Sequence, residues 1–204
     1  TRILPESTPN TPVTALSMVD LPAPLPPMTV TKSPSFRCRF NPCRAIFSLT
    51  VPGKKVFLMG GGIGVPPILQ LAKELCADKS ILVGYRNNQL FLKEDLDKYG
   101  KVYVATEDGS AGTKGNVMDA ITANALEADV IFACGPMPML RAIKKFAAEH
   151  GIKAYISLEE HMACGVGACL GCVVKTKHKD EHTHVNNTRI CLEGPVFNSE
   201  EVEI

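Results

Sequence analysis

Three cysteines near the carboxyl end, Cys164, Cys169 and Cys172, follow the spacing C-x4-C-x2-C, and Cys191 stands alone after 18 more residues. Glycines 165, 167 and 171 lie between the first three. Thiolates on one tight loop must all turn inward on a single centre. Glycines allow the unusual backbone angles this needs, and their amides can donate to sulfur. The spacing is that of plant-type [2Fe-2S] proteins. A structural zinc also accepts four cysteines, although its ligands more often come as two C-x(2–4)-C pairs. Unligated core thiols are a third reading. His178, His182 and His184 sit in the very polar stretch 177–184. As Rieske-type ligands they would leave a complete cysteine set unexplained, so a solvated hairpin loop is the better reading. Cys38, Cys43 and Cys76 have no partner pattern, and Cys76 reads as a small core residue.

A second set of residues could hold a dinucleotide. Gly60-Gly-Gly-Ile63-Gly64 follows the apolar run Lys55 to Met59 and precedes Pro66 and Pro67. Amides of a glycine loop at a helix start approach a pyrophosphate closely, and the helix dipole favours its charge. The fingerprint G-x-G-x-x-G is met only in part, because its third glycine falls on Val65 or Pro67, and a purely structural tight turn is the plainer alternative. Thr106-Glu-Asp108-Gly109-Ser110 and Cys134-Gly135-Pro136-Met137 each follow a strand-like run. The run Ile81 to Tyr85 ends in Gly84-Tyr-Arg86, without the carboxylate that commonly holds an adenosine ribose. Cys134 closes an apolar run, where a thiol often serves packing alone.

These residues need a scaffold, and the apolar pattern supplies one. Strand-like runs at 55–59, 81–85, 102–106, 130–134 and 153–158 alternate with helix-like stretches beginning near 66 and at 91–99, 116–126 and 137–149. Alternation of this kind predicts an α/β domain, a five-stranded parallel sheet with helices on both faces, since parallel neighbours need crossover connections. Ligands of such sheets lie beyond the carboxyl ends of the strands. Behind it, strand-like runs at 173–176 and 189–197 predict a small β-rich domain around the cysteines.

The 204 residues carry 22 basic and 21 acidic side chains, a net charge of +1, which gives no electrostatic case for nucleic acid or an anionic membrane. No apolar stretch approaches a membrane span, and the expectation is a cytoplasmic protein. Nine of the 15 prolines lie between Pro5 and Pro42, and no glycine precedes Gly53. Residues 1–46 therefore read as an irregular segment rather than a folded unit.

Together, residues 60–67, 106–110, 134–137 and 157–172 resemble the electron-transfer subunit of dihydroorotate dehydrogenase, within the ferredoxin reductase superfamily. The likeness covers about residues 47–204 and implies a ferredoxin-reductase-like NAD-binding domain at 47–158 and a [2Fe-2S] domain at 159–204. It implies NAD phosphates at Gly60, Gly61, Gly62, Ile63 and Gly64, and the adenosine half near residues 106–110, with Thr106, Asp108, Gly109 and Ser110 as the binding residues. The nicotinamide would lie beside Cys134, Gly135, Pro136 and Met137. Cys164, Cys169, Cys172 and Cys191 would hold the cluster and relay electrons between FAD and a separate FMN-containing catalytic subunit that oxidises dihydroorotate in pyrimidine biosynthesis. Contact with that partner is expected near 164–172, where Leu170 is the one large apolar residue between Cys169 and Cys172. The family's FAD barrel has an Arg-x-Tyr-Ser-like or Arg-Pro-Leu-Ser-like strand and a later glycine turn. Neither occurs here. Only Phe47-Ser-Leu49 resembles the end of that barrel, and residues 1–46 are expected to be a remnant or foreign segment in its place. The related subunit of NADH-dependent ferredoxin:NADP oxidoreductases, and a zinc-stabilised binding module, are the alternatives.

Overall fold

The computed structural model describes residues 53–177, 179 and 184–204. Residues 1–46, Cys38, Cys43, Phe47 to Leu49, His178 and His182 lie outside the described residues. All described residues belong to one compact unit.

Seven strands form the main sheet: β1 (Lys55–Gly61), β2 (Asp78–Tyr85), β3 (Lys101–Thr106), β4 (Thr113–Lys114), β5 (Val130–Cys134), β6 (Lys153–Ser157) and β9 (Val196–Asn198). Their order is β4-β3-β2-β1-β5-β6-β9. The five strands expected from the sequence lie parallel in its centre. The very short β4 adds a parallel edge and β9 an antiparallel one. Because β9 comes from the cysteine-bearing half of the chain, the two halves share a sheet and not merely a junction.

Alternate residues of each central strand serve opposite faces, as the two-residue strand period requires. Val56, Leu58, Ile81, Val83, Val130 and Phe132 pack under α1 (Val65–Glu74) and Leu96 of the four-residue α2 (Lys93–Leu96). Phe57, Met59, Leu82, Ile131 and Ala133 pack under α3 (Val117–Ala123) and α4 (Met137–His150). Burial on both faces explains why the central strands read as continuous apolar runs.

Local chemistry fixes the helix ends. Prolines at the first turn of α1 carry no N–H that would go unsatisfied there. At its other end Lys79 Nζ donates to the carbonyls of Ala72 (2.7 Å) and Leu75 (3.0 Å). A capping box opens α3. Asn116 Oδ1 accepts from the amides of Met118 (2.7 Å) and Asp119 (3.3 Å), and Asp119 Oδ2 accepts from the Asn116 amide (2.7 Å).

The cysteine-bearing lobe has a three-stranded antiparallel sheet, β10-β7-β8, from β7 (Val173–Thr176), β8 (Asn187–Arg189) and β10 (Val202–Glu203). The single run expected at 189–197 is interrupted. β8 ends at Arg189, a one-turn helix α5 (Ile190–Glu193) carries Cys191, and the chain resumes as β9 in the other sheet. Cys172, Ile190 and Val202 are buried and join the core beneath α4, so the lobe is seated on the larger domain.

Candidate functional site

Chain order runs outward from β1 through β2 to β3, then returns to the other side of β1 as β5 and β6. At this reversal the loops after β1 and β5 diverge and open a crevice beyond the strand ends. They also touch, and that contact dictates a glycine. A Cβ on Gly64 would lie 2.0 Å from the Cys134 carbonyl oxygen.

A cleft of about 830 Å³ opens there. Gly61, Gly62 and Pro136 line it, as do Pro138 and Met139 from the first turn of α4. Its far end is formed by Tyr85, Arg86, Phe91 and Glu107. Gly60 and Gly64 are buried behind the loop, while Ile63 projects outward at 74% exposure. Gly135 and Met137 are partly buried beside it, Met137 packing on the core under α4.

In the loop after β3, the side chains of Thr106, Asp108 and Ser110 are engaged within the loop itself. Thr106 is fully buried, its hydroxyl donating to the Ala111 carbonyl (2.7 Å) and accepting from the Ala111 amide (3.2 Å). Asp108 Oδ1 accepts from the amide (2.9 Å) and hydroxyl (2.6 Å) of Ser110, which holds its carboxyl below the usual range. Gly109, at φ +75°, completes the turn. These residues shape the loop, and Glu107 is the one that lines the cleft. Glu107 falls within the segment 106–110 that the resemblance sets near the adenosine half, and it directly follows β3. Parallel pairing of Tyr85 with Thr106 sets the two strand ends side by side.

Cys134 is 4% exposed and faces a separate, apolar cleft of about 460 Å³ with Ile68, Phe132, Tyr155, Leu158 and Glu159. Burial pushes its thiol up, a hydrogen bond from Ser157 works against that shift, and the charge of Glu159 adds to it. The thiol is therefore protonated at neutral pH.

In the lobe, the loop 164–172 wraps sulfur with amides. Cys164 Sγ accepts from the amides of Val166 (3.4 Å) and Ala168 (3.3 Å), and Cys169 Sγ accepts from the Gly171 amide (3.4 Å). Cys172 Sγ accepts from the amide of Cys191 (3.4 Å). Gly167 makes the wrap possible with φ +81°. The sulfur of Cys164 neighbours that of Cys169, and the sulfur of Cys172 neighbours that of Cys191. Amides of Val166 and Cys169, then the Cys169 side chain and the Ala168 amide, pull the Cys164 thiol down to about 6. Donation from the Cys191 thiol toward Cys172 pushes that thiol up. Among the described residues no three His, Cys, Asp or Glu side chains converge as around a single ion.

Arg189 braces this arrangement. Its guanidinium donates to the Gly167 carbonyl (3.1 Å) and pairs with Glu193 (2.6 Å), whose carboxylate also accepts from the Arg189 amide (2.7 Å). The brace ties the helix of Cys191 to the loop of the other three cysteines. Cys76 is exposed, against the expectation of a core residue, and His184 is exposed as expected of a solvated loop.

Known proteins sharing these features identify the family. Residues 58–145 match the oxidoreductase NAD-binding domain, and residues 159–203 match the iron-sulfur cluster binding domain of dihydroorotate dehydrogenase B. The dihydroorotate dehydrogenase B (NAD(+)) electron transfer subunit of Bacillus velezensis is 43% identical over 159 residues, covering 75% of this chain and 59% of the relative. Its counterpart from Listeria welshimeri is 46% identical over 157 residues, covering 74% and 59%. The chain belongs to the dihydroorotate dehydrogenase B electron transfer subunit family.

The chain spans about 60% of the length of these relatives. The structure of an NADH-dependent reduced ferredoxin-NADP oxidoreductase, solved in a study of flavin-based electron bifurcation, matches 73% of this chain and 54% of its own, at 30% identity and a TM-score of 0.63. The ferredoxin-reductase-like fold and the iron-sulfur and NAD-binding character expected of this chain are those of its family. Among the described residues no helix is long and apolar enough to cross a membrane.

Proposed function

We propose that this chain is an electron-transfer oxidoreductase subunit that passes electrons between an FMN-containing dihydroorotate dehydrogenase subunit and NAD in pyrimidine biosynthesis, with [2Fe-2S] and FAD as intermediates. The observation that carries the reading is the pairing of the four cysteine sulfurs beside a domain with an open cleft at its topological switch point.

The donor set suits a binuclear cluster. Cys164 with Cys169, and Cys172 with Cys191, supply two ligand pairs, and the amides of Val166, Ala168 and Gly171 point at sulfur. A bound [2Fe-2S] cluster supplies one-electron transfer. Amide hydrogen bonds stabilise the thiolate of Cys164 in advance and, as donors to sulfur, raise the potential.

In the same reading, Gly61, Gly62 and Gly64 form the turn that admits a dinucleotide pyrophosphate, with α1 behind it. Pro136 and Met139 wall the crevice toward the nicotinamide end. Cys134 remains a neutral thiol held by Ser157, so it orients by packing and hydrogen bonding and does not act as a nucleophile. NAD accepts a hydride whereas an iron-sulfur cluster exchanges single electrons, so a flavin is the converter that the reaction requires. The cytoplasm is the corresponding location.

The test is reconstitution. The chain, loaded anaerobically with iron and sulfide, is mixed with an FMN dihydroorotate dehydrogenase subunit and FAD. Co-elution of the two proteins and dihydroorotate-dependent formation of NADH are expected. Failure to associate, or NADH-dependent reduction of ferredoxin and NADP in the presence of a different partner, would transfer the chain to the bifurcating relatives.

A further inference from the structure

Arg189 reaches a ligand sulfur through a single peptide. The Ala168 amide donates to Cys164 Sγ (3.3 Å). That N–H shares its peptide plane with the Gly167 carbonyl, which accepts from Arg189 Nη1 (3.1 Å). In a trans peptide the two groups point in opposite directions, so the guanidinium holds one end and the sulfur lies at the other.

Three constraints fix this peptide. Gly167 is buried and sits at φ +81°, a conformation that other residues rarely take. A Cβ there would lie 3.0 Å from Leu192 Cδ2, so the loop rests directly on α5, the helix that carries Cys191. Arg189 supplies the third constraint. Its remaining nitrogens hold Glu193, Nη2 at 2.6 Å and Nε at 3.1 Å from Oε1, while Glu193 Oε2 accepts from the Arg189 amide (2.7 Å). A planar fork shared between a carboxylate and a carbonyl has one geometry that satisfies both. The pair is also well covered, at 33% and 38% side-chain exposure.

A cation at a carbonyl draws charge along the peptide and makes its N–H a stronger donor, since chained hydrogen bonds polarise one another by about 10–30% per bond. The charge of Arg189 is offset by Glu193, so the pair acts on Cys164 through the peptide and not through net charge.

Resting on the reading of this lobe as a [2Fe-2S] site, we propose that Arg189 is a positioning residue that sets the reduction potential of that centre, by holding and polarising the Gly167–Ala168 peptide against Cys164 Sγ. Donors to a ligand sulfur favour the reduced, more negative state and raise the potential. Arg189 keeps this donor in place from the far stem of the lobe, outside the cysteine spacing.

The experiment is an optical redox titration of the full chain, reconstituted anaerobically with iron and sulfide. It compares the wild type, Arg189→Lys and the double variant Arg189→Leu/Glu193→Gln, each at low and high salt. The double variant releases Gly167 without leaving an uncompensated charge. Its midpoint is expected to fall with iron retained, by about ten-fold in the reduction equilibrium for one weakened hydrogen bond to sulfur, or about 59 mV for a one-electron couple. Arg189→Lys keeps the charge without the planar fork and is expected to lie between the two. Both shifts should persist at high salt, because a local hydrogen bond is not screened as a surface charge is. A double variant that retains iron at the wild-type midpoint overturns the proposal. Shifts that vanish at high salt overturn it in favour of charge alone. Should the double variant lose its iron, Arg189→Lys decides, a lowered midpoint supporting the proposal and an unchanged one overturning it. If the wild-type chain itself takes up no iron and sulfide, the cluster reading fails and the proposal with it.

Discussion

The nucleotide domain and the cysteine lobe are held together by different physics. In the first, five parallel strands bury side chains on both faces beneath four helices. In the second, β7 and β8 contain no fully buried residue, and Cys172, Ile190, Phe197 and Val202 are its buried contribution to the core. Apolar burial at roughly 25 cal/mol per Å² stabilises the first. The second is a set of loops bent around four sulfurs, whose order depends on what those sulfurs bind. One chain thus joins a domain that folds on its apolar content to a lobe completed by its cofactor.

Withholding metal is the strongest way to break this comparison. The iron-free chain, or Cys172→Ser, should lose amide-exchange protection across 159–193 while β1, β2 and β5 stay protected. Simultaneous loss in both regions would mean that the two stand or fall together. Next in size, Phe132→Ala should cost about 3–5 kcal/mol of nucleotide-domain stability by emptying a fully buried site, read by denaturant unfolding. Gly64→Ala forces the loop after β1 away from Cys134 and should cost roughly 1–3 kcal/mol as overpacking, with loss of dinucleotide binding in the same sample. Asn116→Ala removes the α3 cap and should lower stability by about 1 kcal/mol, with the cluster spectrum unchanged. Smallest in stability is Leu170→Glu, at a position 65% exposed with φ +57°. It should leave unfolding and spectrum alone yet weaken capture of the catalytic subunit in a pull-down, and equal capture would count against a docking surface there.

The same contrast explains what could be read in advance. The central strands were legible because burial on both faces writes continuous apolar runs. Even so, β2 begins at Asp78, three residues before its apolar run, since Asp78 to Ser80 continue the pairing with β1 without being buried there. β4 and β10, of two residues each, leave no periodicity to detect. The run at 189–197 looked like one strand because Ile190, Leu192 and Val196 are apolar. In fact α5 turns Cys191 toward Cys172 between two strands of different sheets.

At the sites, cysteine spacing singled out four residues that the fold sets in one lobe as two neighbouring pairs, and the spacing of the first three is a local constraint. The nucleotide cleft was less legible. Gly61, Gly62 and Pro136 line it, and so does Glu107 of the 106–110 motif, but Thr106, Asp108 and Ser110 bond within their own loop, and Arg86, Phe91 and Met139 enter through strand register and helix placement that no short motif records.

The most direct test of the account is the visible absorption spectrum of the chain after anaerobic reconstitution, taken with iron, zinc and acid-labile sulfide assays on the same sample. The account predicts a reddish-brown protein with about two irons and two sulfides per chain, as a [2Fe-2S] centre requires, and bleaching on reduction. A colourless protein holding stoichiometric zinc and no sulfide would contradict it.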